Sequence, residues 1–304
     1  MAIDIQSFLN SRLSIALGLI LSKVPPSIGF RIAYLLGDLI AARKNNRMVR
    51  ALRANQWVVH DELPTAKELD QLVRQTYRST ARSLYEFWHY IRDNRAISDM
   101  VELDQSFTSA IEQARREERG ALLVIPHLSN FDLVGRSTVL HGIHLHVLSY
   151  PQPSGGYRWQ NALRQLPGLT VTPLSIESLR QASTTLRNGG VVVTGIDRPL
   201  PTEDSKYQAR FFGRMAALPV FHIRLALKHD LPIVVLGGCR KADGRYSLWA
   251  SPPIQMQRSN DLVTEIVQNS EAVLDVLARY ICRAPDQWAM FYPIWPKALD
   301  QMPA

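Results

Sequence analysis

Up to about Asn94 the apolar residues recur three and four positions apart, at Leu69, Leu72, Val73, Tyr77, Leu84, Phe87, Trp88 and Ile91. That period predicts helices with one buried stripe. The aromatic group Tyr85, Phe87, Trp88 and Tyr90 lies on this stretch and is expected in the core, not on a binding platform. From Gly120 the texture changes to short apolar runs, Ala121–Ile125, His144–Leu148, Thr170–Thr172, Val191–Gly195 and Ile233–Gly237, which read as strands. Helical patterns alternate with them at Asn130–Leu140, Tyr157–Gln165, Ser178–Arg187 and Leu218–His229. Such alternation predicts an α/β fold, a mostly parallel central sheet flanked by helices. Tyr246–Ala250 alternates as an edge strand does, and Asp261–Cys282 places Leu262, Ile266, Val273, Leu274, Leu277 and Ile281 on one helical face. A helix over 106–117 is expected to end at Arg119-Gly120, with the glycine as a left-handed cap.

The N-terminus is apolar in two stretches. Leu13–Leu21 is too short to span a bilayer and ends at Lys23-Val24-Pro25-Pro26, with no convincing small-residue cleavage site after it. Ile32–Ala42 carries Asp38 in its middle and precedes the cations Arg43, Lys44, Arg47, Arg50 and Arg53. Two apolar helices followed by cations predict membrane-facing helices over 1–55, lying on an anionic leaflet, with an α/β domain over 56–304. The alternative is a buried helical hairpin with a solvated basic face.

A chain of 304 residues, 46% apolar and 20% charged, is globular and can bury a large core. Its net charge of +8 favours anionic partners: nucleic acid, an anionic membrane surface or phosphorylated substrates. The arginines are spread along helices without an aromatic-interleaved strand motif, which argues against nucleic acid. Cys239 and Cys282 form no CxxC pair, so a disulfide framework and a zinc site are not expected, and a reducing compartment is. No G-x-S-x-G elbow occurs, which argues against a serine hydrolase.

Candidate chemistry concentrates in Pro126-His127-Leu128-Ser129-Asn130-Phe131-Asp132, directly after the apolar run 121–125. An imidazole titrates near neutrality and can take a proton from a hydroxyl group. A carboxylate on its far nitrogen would fix the tautomer, and Asp132 is the expected partner of His127. Ser129 and Asp132 also have the spacing of a capping box, with Ser129 as cap. Arg164 leads towards a strand, and Asp197-Arg198 end another. Charges at strand ends of an open α/β sheet often fall in the ligand crevice.

PHLSNFD resembles the P-H-x-G-N-[WF]-[DE] signature of the bacterial lipid A biosynthesis acyltransferases, a family that includes phosphatidylinositol mannoside acyltransferase. Arg164 and Gly168 are similar to its R-x3-G block. Asp197, Arg198, Phe211, Phe212, Gly213 and Pro219 resemble its D-R…FFG…P block, and Pro285, Gln287 and Trp288 its closing P-x-Q-W. Ser129 stands where the family usually has glycine, and PLPTED replaces a more glycine-rich loop after Arg198. The resemblance implies a glycerolipid-acyltransferase-like fold and transfer of a fatty acyl group from an acyl thioester to a hydroxyl of an anionic glycolipid. His127 and Asp132 would be catalytic, and Asn130, Arg164, Asp197 and Arg198 substrate-binding. The arginines would serve the oxyanion or substrate phosphates. No metal and no cofactor is implied, only acyl-carrier protein or acyl coenzyme A as co-substrate. The implied location is the cytoplasmic face of the bacterial inner membrane, peripheral or shallowly anchored. The alternative is a catalytically silent relative that only binds anionic lipids.

Overall fold

The computed structural model describes residues 12–151, 161–201 and 205–304. Among the described residues five helices come first: α1 (Arg12–Leu21), α2 (Pro26–Ala41), α3 (Arg47–Val59), α4 (Ala66–Tyr90) and α5 (Asn94–Met100). Then follow β1 (Val101–Leu103), α6 (Gln105–Arg116), β2 (Ala121–Ile125), α7 (Phe131–Leu140), β3 (Leu145–Ser149), β4 (Leu169–Pro173), α8 (Ile176–Arg187) and β5 (Val191–Gly195). A hairpin of β6 (Ala209–Phe211) and β7 (Arg214–Ala216) precedes α9 (Phe221–His229), β8 (Ile233–Arg240), β9 (Tyr246–Ala250), α10 (Leu262–Ile281) and α11 (Ala298–Gln301). Of the helix expected over 157–165, residues 157–160 lie outside the described residues; 161–164 are helical.

The large sheet has seven strands in the order β1-β9-β8-β2-β5-β3-β4, parallel except where β8 meets β9. Strand pairing explains the apolar runs, because both faces are covered. Leu122, Val124 and Val192 pack with α3, α8, α9 and α10, while Leu123 and Val193 pack with α6 and α7. The chain leaving β2 runs through α7 to one side of the sheet, and the chain leaving β5 returns through α9 on the other face. A crevice therefore opens between the carboxyl ends of the adjacent strands β2 and β5.

The expected boundary at residue 55 falls inside a buried helix. In α3 every residue from Ala51 to Val59 is buried, and Asn55 is hydrogen-bonded to Met290, Tyr292 and Ile294 near the C-terminus. Of the basic cluster, Arg53 turns inward and pairs with Asp70, whereas Arg43, Lys44, Arg47 and Arg50 are exposed. Helix α2 has an unusual distribution. Its small residues Gly29, Ala33 and Gly37 face α4, where a Cβ at Gly37 would lie 2.9 Å from the Tyr77 carbonyl. The large ones, Ile28, Leu35, Leu36 and Leu39, are exposed, as are Leu17, Leu19 and Ile20 of α1. Asp38 ties α2 to α4 through hydrogen bonds from Arg74 and Arg78, which hold its carboxyl well below the usual range. Among the described residues no helix is long and apolar enough to cross a membrane. Of the expected aromatic core, Tyr85, Phe87 and Trp88 are buried and Tyr90 is partly buried. At the end of α6 the left-handed residue is Glu118, φ 52°. Gly120 has a different task, since a Cβ there would meet the Leu186 carbonyl oxygen at 2.3 Å.

Candidate active site

Strand β2 delivers His127 to the crevice, and two backbone hydrogen bonds, which make the antiparallel bridge of Leu128 with Trp288, fix the loop that follows. Ala289 N–H donates to the His127 carbonyl (2.9 Å) and Ser129 N–H to that of Gln287 (2.9 Å). Strand β5 delivers Asp197, which is fully buried. The His127 ring Nδ1 lies 2.6 Å from Asp197 Oδ1, and the His127 backbone N–H donates to Oδ2 at 2.8 Å. Trp288, fully buried, donates its indole N–H to the same Oδ2 at 2.8 Å. Burial opposes charge on Asp197, but the facing imidazole and these hydrogen bonds outweigh it and hold the carboxyl below its ordinary pKa.

The partner of His127 is thus Asp197 and not Asp132, as the sequence spacing led us to expect. Asp132 lies in the first turn of α7, and the Arg164 guanidinium takes both of its oxygens, Nε to Oδ1 at 2.5 Å and Nη2 to Oδ2 at 3.0 Å. Arg164 also donates to Asn161 Oδ1 at 2.6 Å, so its fork is spent within the protein. Asp197, expected among the substrate contacts, is shut off from solvent and touches the imidazole. Asn130 is likewise internal: it is 4% exposed, its Nδ2 donates to the Ser83 carbonyl of α4, and its Oδ1 caps α7 at Leu133 N–H. Arg198 is half-buried, its Cζ 3.7 Å from the ring centroid of Tyr150 and 4.1 Å from that of Tyr292.

In a neutral ring whose Nδ1–H donates to a carboxylate, the other nitrogen carries the lone pair. His127 Nε2 makes no hydrogen bond to a described residue, and the side chain is 33% exposed. One edge of the ring is open because residue 195 is glycine; a Cβ there would approach His127 Cε1 to 3.1 Å. Phe131 covers another side edge-on, centroids 5.6 Å apart. A base so held, oriented by a buried acid and open on one nitrogen, can accept a proton from a substrate hydroxyl.

The expected cap, Ser129, is not the cap. It sits at φ +62° with its buried Oγ unpaired, and Asn130 caps in its place. A left-handed backbone costs a non-glycine residue about 1–2 kcal/mol, which accounts for glycine in the related signature. Ser129→Gly is therefore expected to stabilise the protein by about 1 kcal/mol after the greater unfolded-state freedom of glycine is subtracted. Denaturant unfolding measures this, and a fall in midpoint would contradict the account.

The remaining motif blocks form the scaffold of the pair. Gln287 exchanges hydrogen bonds with the backbone of Arg240 at the end of β8. Trp288 packs between Phe211 (6.5 Å, edge-on) and Phe212 (6.4 Å). Phe212 and Gly213 both have positive φ, as the tight turn between β6 and β7 requires.

Residues 5–297 match the family described as bacterial lipid A biosynthesis acyltransferase. The chain belongs to that family. Among curated relatives, the phosphatidylinositol mannoside acyltransferase of Mycobacterium tuberculosis is 25% identical over 240 residues, covering 77% of this chain and 68% of the relative. That of Mycolicibacterium smegmatis is 27% identical over 243 residues, covering 76% and 75%. A crystal structure of the 1-acyl-sn-glycerophosphate acyltransferase of Thermotoga maritima is a more distant likeness: 15% identity, 82% of this chain and 97% of the other, TM-score 0.35. As a member of the lipid A biosynthesis acyltransferase family, the protein is an enzyme that transfers acyl groups.

Proposed function

We propose that this acyltransferase moves a fatty acyl chain from an acyl thioester to a hydroxyl of an anionic glycolipid at a membrane surface, with His127 as general base. The observation that carries the reading is the His127–Asp197 pair, with the His127 side chain 33% exposed and no described residue hydrogen-bonded to its Nε2. Nε2 takes the hydroxyl proton as the oxygen attacks the thioester carbonyl carbon. The tetrahedral intermediate then collapses, the C–S bond breaks, and the leaving thiolate receives the proton from the imidazolium. Throughout, Asp197 stabilises the positive ring without itself being protonated. A thiol of pKa about 8.5 leaves readily, so a covalent enzyme intermediate is unnecessary. The exposed apolar faces of α1 and α2, next to Arg43, Lys44, Arg47 and Arg50, suit an anionic leaflet. A silent lipid-binding relative would have no need of a buried acid on the imidazole.

One experiment tests both parts. Labelled acyl coenzyme A or acyl-carrier protein is incubated with anionic vesicles containing bacterial glycolipids and either wild-type protein, His127→Ala or the double variant Leu35→Glu/Leu39→Glu. Transfer is expected with the wild type and lost with His127→Ala, while the double variant no longer sediments with the vesicles. Undiminished transfer without the imidazole rejects the base, and unchanged sedimentation rejects the membrane face.

A further inference from the structure

Helix α4 carries polar residues on a side that it buries. Ser79, Arg82, Ser83 and Glu86 recur at i, i+3, i+4 and i+7, the spacing of one helical face. Ser79 and Glu86 are buried, Glu86 completely, and Arg82 and Ser83 are half-buried. Each of the four is engaged. The Ser79 hydroxyl accepts from Arg240 Nη2 at 3.0 Å, and the Ser83 carbonyl from Asn130 Nδ2 at 3.1 Å. The Glu86 carboxylate takes Arg82 Nε on Oε1 at 2.8 Å and the Tyr246 hydroxyl on Oε2. Arg82 is fixed in turn from α2, where Tyr34 Oη accepts from its Nη1 at 3.3 Å and the Phe30 ring centroid lies 4.3 Å from its Cζ.

These contacts converge on the loop after β2. Asn130 belongs to that loop. Arg240 ends β8, its backbone exchanges hydrogen bonds with Gln287, and the Gln287 carbonyl holds Ser129 N–H. Tyr246 opens β9 opposite Arg240 in the antiparallel register. Because β8 runs parallel to β2, that point lies at the same carboxyl edge of the sheet as His127. One face of α4 thus holds the loop directly at Asn130 and, through Arg240 and Gln287, at Ser129. Folding alone does not call for a carboxylate at residue 86, since well-packed apolar residues commonly serve stability as well as a buried ion pair does. What the carboxylate adds is direction: it fixes α4 to β9 by meeting donors from both at once.

We propose that Glu86 is a positioning residue for acyl transfer: with Arg82 and Tyr246 it locks the polar face of α4 to the carboxyl edge of the sheet and so sets the loop that aims His127. The inference rests on the reading of His127 as the base and adds to it a group that touches neither the imidazole nor solvent. Its effect therefore falls on kcat and not on substrate binding, because a base displaced by a fraction of an ångström still leaves the substrate contacts in place.

Two variants test it. Tyr246→Phe removes one donor with little change of shape, and Arg82→Gln/Glu86→Gln removes both charges together, so that neither is left buried alone. Acyl transfer is measured at a temperature where circular dichroism shows the variant folded; if one fails to fold, the other decides. Each is expected to lower kcat by about 10- to 100-fold with KM little changed. Amide hydrogen exchange reads the loop itself. The N–H groups of Ser129 and Ala289, which tie the loop to the C-terminal segment, should exchange faster in both variants, while amides in the middle of α10 keep their wild-type rates. Ile111→Ala opens a cavity in the core under α6 and controls for plain loss of stability; its kcat should stay at the wild-type value. Unchanged kcat in either folded variant overturns the proposal, as does a fall in kcat without faster exchange at Ser129 and Ala289. An equal fall in Ile111→Ala overturns it too. Should His127→Ala transfer normally, the base reading fails, and the exchange rates still decide whether Glu86 sets the loop.

Discussion

Asparagine in place of Asp197 is expected to cost as much catalysis as loss of His127 itself, about 10²–10⁴ in kcat. The amide is nearly isosteric, so the pocket formed by His127, Trp288 and the β5 end keeps its shape. Its chemistry changes in two ways. The residue no longer carries the charge that stabilises an imidazolium, and its NH2 group can donate to Nδ1 and leave the proton on Nε2, the wrong tautomer for a base. Acyl-transfer kinetics with wild type, His127→Ala, Asp197→Asn and the double variant measure the effect. The double variant should be no slower than either single one, because the two residues act as a unit. Full activity in Asp197→Asn would remove this acid from the mechanism.

The same substitution changes the acid response of the fold. The Asp197 carboxyl is held below its ordinary pKa by the imidazole and by hydrogen bonds that prevail over its burial. A depressed carboxyl contributes stability that is fully present above its unfolded pKa of about 3.9 and is lost as pH falls through the lower folded value. Wild-type protein should accordingly lose more stability than Asp197→Asn across that acidic window. Above it, the linkage contribution of this group is constant.

The β2-loop-α7 unit was legible in the sequence because everything that specifies it is local: an apolar run, a proline, and a polar cluster ahead of a helical period. So were the principal parallel strands, whose two-sided burial writes itself as uninterrupted apolar stretches. The acid on His127 was not legible, because Asp197 is 70 residues away and reaches the ring only through the pairing of β2 with β5. Spacing along the chain favoured Asp132, which is near in sequence but belongs to a helix whose first turn faces Arg164. Trp288 was visible only as a motif letter, and its donation to Asp197 requires the C-terminal segment to run antiparallel to Leu128. The approach of Tyr150 and Tyr292 to Arg198 carried no signal, since the three residues come from separate parts of the chain. The outward leucines of α2 followed a helical period too, but the period cannot say which side is inward when the seam is built from glycine and alanine.

Removing Arg164 is expected to destabilise the protein by about 3–5 kcal/mol, the largest effect on folding that the site predicts. Its side chain is 10% exposed and that of Asp132 18%, so truncation to alanine leaves a largely buried carboxylate without its counter-charge. The pair joins the first turn of α7 to the helical segment at 161–164. Because α7 begins four residues after His127, loss of the tie also loosens the loop that carries His127, and activity should fall with stability. Asp132→Asn leaves the guanidinium in a similar predicament. If the two residues serve each other, Asp132→Asn/Arg164→Gln should be less destabilised than the sum of the single variants, by up to about 3 kcal/mol of coupling. Equilibrium unfolding of the four proteins gives that coupling directly. Should Asp132 instead act on the imidazole, Asp132→Asn would lower kcat at full stability while Arg164→Gln would not, and the cycle would show no coupling in folding.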